Sequence, residues 1–139
     1  MIQITIDKDA QDNGLANMIK DLLAQNITNH PEREKDAKAL NGGIVIDAND
    51  IEVSLTLICK NGHIHIKNGV VEPYKLKITT ASDNIMKLNM LKIKFGLPYY
   101  FDKAGREVLA MLFGGKLKIK GLLAHPIMLT HITKLFSVM

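Results

Sequence analysis

Residues 44–67 read Ile44-Val45-Ile46-Asp47-Ala48-Asn49-Asp50-Ile51-Glu52-Val53-Ser54-Leu55-Thr56-Leu57-Ile58-Cys59-Lys60-Asn61-Gly62-His63-Ile64-His65-Ile66-Lys67, and this stretch decides the fold. Ile51, Val53, Leu55, Leu57 and Cys59 fall on one phase of a two-residue period, with Glu52, Ser54, Thr56 and Lys60 on the other. Such alternation builds strands with one face on a core and the other in water, as antiparallel sheets have. Asn49-Asp50 is a turn. Asn61-Gly62 signals a two-residue hairpin, whose central positions need positive φ. Residues 44–48, 51–60 and 63–67 are therefore expected as consecutive strands.

Upstream, Ile2, Ile4 and Ile6 alternate with Gln3 and Thr5 and predict a short strand. Asp7 and Asp9 offer caps to a helix over 10–26, where Leu15, Met18, Ile19, Leu22 and Leu23 recur at helical spacing. His30-Pro31-Glu32-Arg33-Glu34 opens a short second helix reaching Leu40, with Pro early and acids in the first turn. Its many charges predict a surface position. Downstream, Tyr74, Leu76 and Ile78 alternate with Lys75, Lys77 and Thr79. Ser82 or Asp83 caps a helix expected over 82–95 and ended by Gly96-Leu97-Pro98. A further helix spans 102–113, with Val108, Leu109, Leu112 and Phe113 on its apolar side, and Gly114-Gly115 stops it. Lys116–Lys120 alternates again, and Pro126 starts a last helix over 126–138. The pattern is α+β, one domain over residues 1–139, with helices on one face of the sheet.

Composition narrows the function. The chain has 139 residues, 47% of them hydrophobic, an ordinary globular balance. No apolar run approaches the roughly 20 residues of a membrane span. The start, Met1–Asp7, has no basic and then apolar leader. Cys59 is alone, which favours a reducing, cytoplasmic setting. The net charge is +4, yet only Arg33 and Arg106 are arginine and aromatics are 5%. Base readout favours guanidinium forks and single-strand binding favours stacking aromatics, so no nucleic-acid partner is expected.

Catalytic motifs are missing. His63 and His65 share one strand face, but zinc needs three or four converging ligands, and no second cysteine or HExxH completes a set. Ser54 and Ser82 lack a nucleophile elbow, and Gly42-Gly43 and Gly114-Gly115 lack phosphate-loop flanks. Asp47 and Asp50 sit where turns favour Asp for backbone reasons. No metal, no cofactor and no enzymatic activity are expected. A single sheet has one core face, however, and four or five apolar helices compete to cover it. Surplus apolar surface meets a ligand or a second subunit, a homodimer among the options. Met86, Met90, Met111 and Met128 suit an adaptable lining.

The segment Met111-Leu112-Phe113-Gly114-Gly115-Lys116-Leu117-Lys118-Ile119-Lys120-Gly121, followed by an apolar helix, resembles the closing signature of the sterol carrier protein type 2 family. Residues 77–88, a strand running into a Ser-Asp-capped helix, are similar to that family as well. The resemblance covers roughly 10–138. It implies a largely antiparallel five-stranded sheet, six with the N-terminal strand, under four to five helices. It also implies an apolar tunnel between the layers for a sterol, fatty acid, fatty acyl-CoA or phospholipid. Carried over by position, Leu88 and Leu91, then Leu109, Leu112 and Phe113, then Leu117 and Ile119, and finally Ile127, Met128, Ile132, Leu135 and Phe136 line or close that tunnel. The last helix is expected to act as a gate as well as core. The N-terminal strand and the long segment 95–106 depart from the family pattern.

The leading reading is a cytoplasmic lipid-binding and lipid-transfer protein. The alternative is a non-catalytic accessory subunit presenting a lipid-like substrate to a partner enzyme. A metal-dependent hydrolase using His63 and His65 ranks last. Transient contact with anionic membranes is expected through either of two surfaces. One is the lysines of 75–77 and 116–120, which form a single stripe if their strands are neighbours. The other is Tyr99, Tyr100 and Phe101 on a loop after Pro98.

Overall fold

The computed structural model describes residues 2–94 and 97–138. Eight strands and five helices follow in the order β1 (Gln3–Ile6), α1 (Gly14–Asn29), α2 (Glu34–Ala39), β2 (Gly42–Ala48), β3 (Val53–Lys60), β4 (His63–Asn68), β5 (Leu76–Thr80), α3 (Ser82–Leu88), β6 (Ile93–Lys94), β7 (Leu97–Pro98), α4 (Lys103–Phe113), β8 (Leu117–Lys120) and α5 (Pro126–Phe136). Six strands form one sheet in the order β1-β4-β3-β2-β5-β8, and β6 and β7 make a separate two-stranded ribbon. The pairs β2–β3, β3–β4 and β5–β8 are antiparallel, while β1–β4 and β2–β5 are parallel. The sheet is open, and its helices lie on one face.

The predicted alternation is realised in the register from Val53 onward; Ile51, expected on the inward phase, lies instead in the β2–β3 turn and is 51% exposed, with Glu52 at φ 54° turning the chain. Ile44 pairs with Leu57 and Ile46 with Leu55, all buried, and Ile64 and Ile66 of β4 continue the same row. Asn61 and Gly62 adopt φ of 51° and 81°, as the predicted hairpin requires. The N-terminal strand joins the sheet too. Ile4 lies beside Ile64 and Ile6 beside Ile66, which makes it the sixth strand.

Three local expectations shift. First, α1 starts at Gly14 and not at 10, because Asn13 is its cap and accepts from the Ala16 N–H at 3.0 Å. The Asn13 amide also donates to Ser54 O and Asn68 Oδ1, tying the helix to the strand ends. Asp7 caps the preceding 3-10 turn over Lys8–Ala10 instead. Second, α3 ends at Leu88, well short of 95. The Asn89 carbonyl accepts from the Val138 N–H and the Leu91 carbonyl from the Ser137 hydroxyl, so tertiary contacts draw this segment out of helix. Gly96, expected to end that helix, lies outside the described residues. Third, the charged helix α2 is not a wholly solvated element, since Asp36 and the preceding Arg33 are buried.

The face away from the helices is only partly wet. Val45 and Thr56, cross-strand partners on that face, are both buried. The connection from β4 to β5 crosses here. The Thr56 hydroxyl donates to Gly69 O at 2.7 Å and accepts from the Val71 N–H at 3.0 Å. A Cβ on Gly43 would sit 3.0 Å from Pro73 O, which shows how closely the crossing chain lies. Beyond it, β5 and β8 are neighbours as the stripe required. Lys77 faces Lys120, and Thr79 faces Lys118.

Candidate functional site

The twelve residues that the resemblance assigns to a tunnel divide into three groups. Leu91, Leu117, Ile132, Leu135 and Phe136 are core residues, at most 4% exposed. Leu88, Leu109, Leu112, Ile119 and Met128 are half-buried, and all but Leu109 pack against that core. Phe113 and Ile127 lie at the surface, 84% and 73% exposed. The side chain of Met86, an expected lining residue, lies outside the described residues; Met90 is exposed and Met111 is buried.

Two helix rotations explain the outliers. The packed stripe of α4 is Gly105, Val108 and Met111, and it includes a glycine that apolar counting skips. Gly105 is there because the backbone of Tyr99 and Tyr100 lies on it; a Cβ would come within 2.4 Å of Tyr100 Cα. With the stripe so placed, Phe113 points off the end of the helix. In α5, Ile132, Leu135 and Phe136 face inward, and Ile127 falls on the side of His131, one turn later.

The C-terminal half of α5 is fastened by polar ties that apolar patterning does not reveal. Asn26 of α1 donates to Leu135 O at 2.9 Å, and the Arg33 guanidinium donates to Ser137 O. Asp36 Oδ1 accepts from His131 Nδ1 at 2.7 Å and from Lys134 Nζ at 2.8 Å. Burial lowers the Arg33 pKa from its ordinary value, while Glu32 and Asp36 act to hold it up. The spacing of His131 and Lys134, three apart on one helix, is the one sequence trace of this clamp. Among the described residues no such ties gather at the other end of α5. There, Leu123 is 95% exposed, and Ile127 and Met128 line an open recess of about 430 Å³ together with Lys75, Ala124 and His131. The polar ties of α5 thus hold its C-terminal half and not its first turn.

At the β1–β4 edge a set of polar side chains satisfies one another. Thr5 Oγ1 lies 2.7 Å from both His63 Nε2 and His65 Nδ1, and His65 Nε2 lies 3.1 Å from Asp7 Oδ1. The hydrogen bond from His65, with a further one from Asp9, lowers the Asp7 pKa. Among the described residues no three His, Cys, Asp or Glu side chains gather in a metal-binding group. Burial pushes the Cys59 thiol up to about 12, so it stays protonated and unreactive near neutral pH.

Asp50 spans from the β2–β3 turn to the start of α3. It accepts from the Ser82 N–H and hydroxyl, both at 2.8 Å, and those bonds lower its pKa. A carboxyl lowered in the folded state contributes stability above its ordinary pKa and loses it as pH falls through the folded value. Acidification below the ordinary carboxylate range, about 3.9, should therefore lower the protection of the Ser82 amide relative to its intrinsic exchange rate. In Asp50→Asn that acid step should disappear. An unchanged acid step in the variant would mean that another group holds the turn.

A six-stranded, mostly antiparallel sheet under helices on one face, closed by a strand and an apolar helix, is the sterol carrier protein 2 fold. Searched against solved structures, the chain is similar to one described as "UbiJ-SCP2 Ubiquinone synthesis protein", with 12% identity over 88% of this chain and 92% of that one and a TM-score of 0.63. It is similar also to a crystal structure of sterol carrier protein 2, with 13% identity, 86% and 91% coverage and a TM-score of 0.53. A third is the sterol carrier protein domain 2 of Helicoverpa armigera, at 17% identity, 87% and 86% coverage and a TM-score of 0.54. Identities this low establish the shared fold. No family model and no curated protein matches the sequence. Among the described residues no helix is long and apolar enough to cross a membrane.

Proposed function

We propose that the chain, acting as one domain in the cytoplasm, holds a single lipid. The lipid would be a sterol, fatty acid, fatty acyl-CoA or phospholipid, lodged between the sheet and helices α3, α4 and α5. The observation that carries this reading is the sterol carrier fold over nearly the whole chain, with its closing strand and helix supplying buried apolar side chains. The recess beneath the first turn of α5 is the natural mouth, since the ties of that helix lie at its other end. Transfer of about ten methylenes from water at roughly 0.8 kcal/mol each gives about 8 kcal/mol, enough for micromolar affinity before ordering costs. No catalytic group is needed.

Extraction of the purified protein followed by mass spectrometry should release a lipid in near-stoichiometric amount, and fatty acids should displace a fluorescent apolar probe. An empty protein that binds no probe would overturn the carrier reading. The accessory-subunit alternative draws support from the fold neighbour described as a ubiquinone synthesis protein. It predicts bound lipid without measurable transfer between vesicles, and a co-purifying enzyme.

A further inference from the structure

We propose that the corner formed by the ends of β5 and β8 and the turn into α5 docks on an anionic lipid bilayer. The inference rests on the carrier reading for its purpose, but its geometry is independent. Lys77 and Lys120 stand directly opposite each other across an antiparallel pair, an arrangement that costs a fold stability. Among the described residues none of Lys75, Lys77, Lys116, Lys118 and Lys120 forms an ion pair. In the register Asp47 lies one strand further in, its partner Thr79 facing Lys118.

The apolar component adjoins them. Gly121, at φ 92°, is pressed against Lys75, where a Cβ would lie 2.1 Å from the Lys75 carbonyl oxygen. The chain then turns outward and displays Leu123, while Ile127 shares its recess with Lys75. Lysines beside exposed aliphatic side chains match an anionic headgroup layer over hydrocarbon. One aromatic, Tyr74, lies against Lys120, short of the succession of stacking aromatics that a nucleic-acid strand would ask for. Docking there sets the mouth beneath α5 against the membrane, where a lipid can pass without crossing water.

The test is sedimentation with vesicles of phosphatidylcholine alone and of phosphatidylcholine mixed with phosphatidylglycerol. The mixed vesicles should bind the protein, the neutral ones weakly, and binding should fall as salt shortens the screening length from about 8 Å to about 3 Å. The triple variant K75Q/K77Q/K120Q should lose about two orders of magnitude, near fivefold per lysine. L123S/I127S should lose about tenfold or more. Phe101→Ser, on the other exposed aromatic loop, should bind as the parent does. Equal binding to both vesicle types, or loss with Phe101→Ser while the lysine variant binds normally, overturns the proposal. So does a corner that captures only a protein. Thermal melts confirm that the variants fold. Probe displacement without vesicles separates the two readings: K77Q/K120Q, whose side chains do not line the recess, should keep its ligand affinity, and a parent that binds anionic vesicles but no probe would leave docking standing and remove the carrier.

Discussion

A chain ending at His131 is expected not to fold. The deletion removes Ile132, Leu135 and Phe136, all buried to within 4% of complete, together with the Ser137 carbonyl that accepts from Arg33. Loss of one large buried apolar side chain costs about 2–5 kcal/mol. Three of them exceed most of the roughly 5–15 kcal/mol that holds a domain together. Far-UV circular dichroism and a urea titration should show no cooperative transition. A truncated protein that still unfolds cooperatively would make α5 a dispensable lid, and the gate would then be the whole helix.

The second large effect is expected from Asp36→Ala. Its carboxylate is the shared acceptor of His131 and Lys134, and it helps to offset the charge of buried Arg33. Removing one partner from a buried ionic cluster costs about 3–5 kcal/mol, because Lys134 loses its carboxylate partner and Arg33 is left with Glu32 alone. Replacing acid and base together by apolar residues of similar size is commonly neutral or better. Asp36→Leu with Lys134→Met should therefore recover much of the loss in urea unfolding. Equal losses for the single and double changes would show that Asp36 acts through packing alone.

The contrast between α5 and α2 shows what the sequence discloses. Inward positions of β2 to β5 and β8 are legible because a sheet buried on one side forces a strict two-residue period. The same rule exposes β1 from three isoleucines. Helices give less. Their inward stripe is broad enough that the pattern of α4 fits more than one rotation, and the Tyr99–Tyr100 backbone lying on Gly105 is part of what selects the observed one. Residues 89–94 carry a helical pattern, but the carbonyls of Asn89 and Leu91 are taken by the C-terminal segment. Arg33 and Asp36 read as surface charge because burial of an ion depends on partners far away in sequence, here Ser137, His131 and Lys134. The lysine stripe needed only the adjacency of two strands, which alternation alone does not supply.

The parallel pairing of β1 with β4 has a consequence for how the molecule assembles. Gln3 meets His63 and Ile6 meets Ile66, so the first strand made is separated from its partner by two helices and two strands. The β3–β4 hairpin closes through a two-residue turn, which hairpins do on a timescale of about 1–10 μs. Pairing over so long a separation must first overcome the entropy of closing a large loop. The first strand therefore enters its sheet late. Until it does, β4 presents a bare edge of alternating His and Ile, and this interval is when two copies of the chain are most exposed to joining edge to edge.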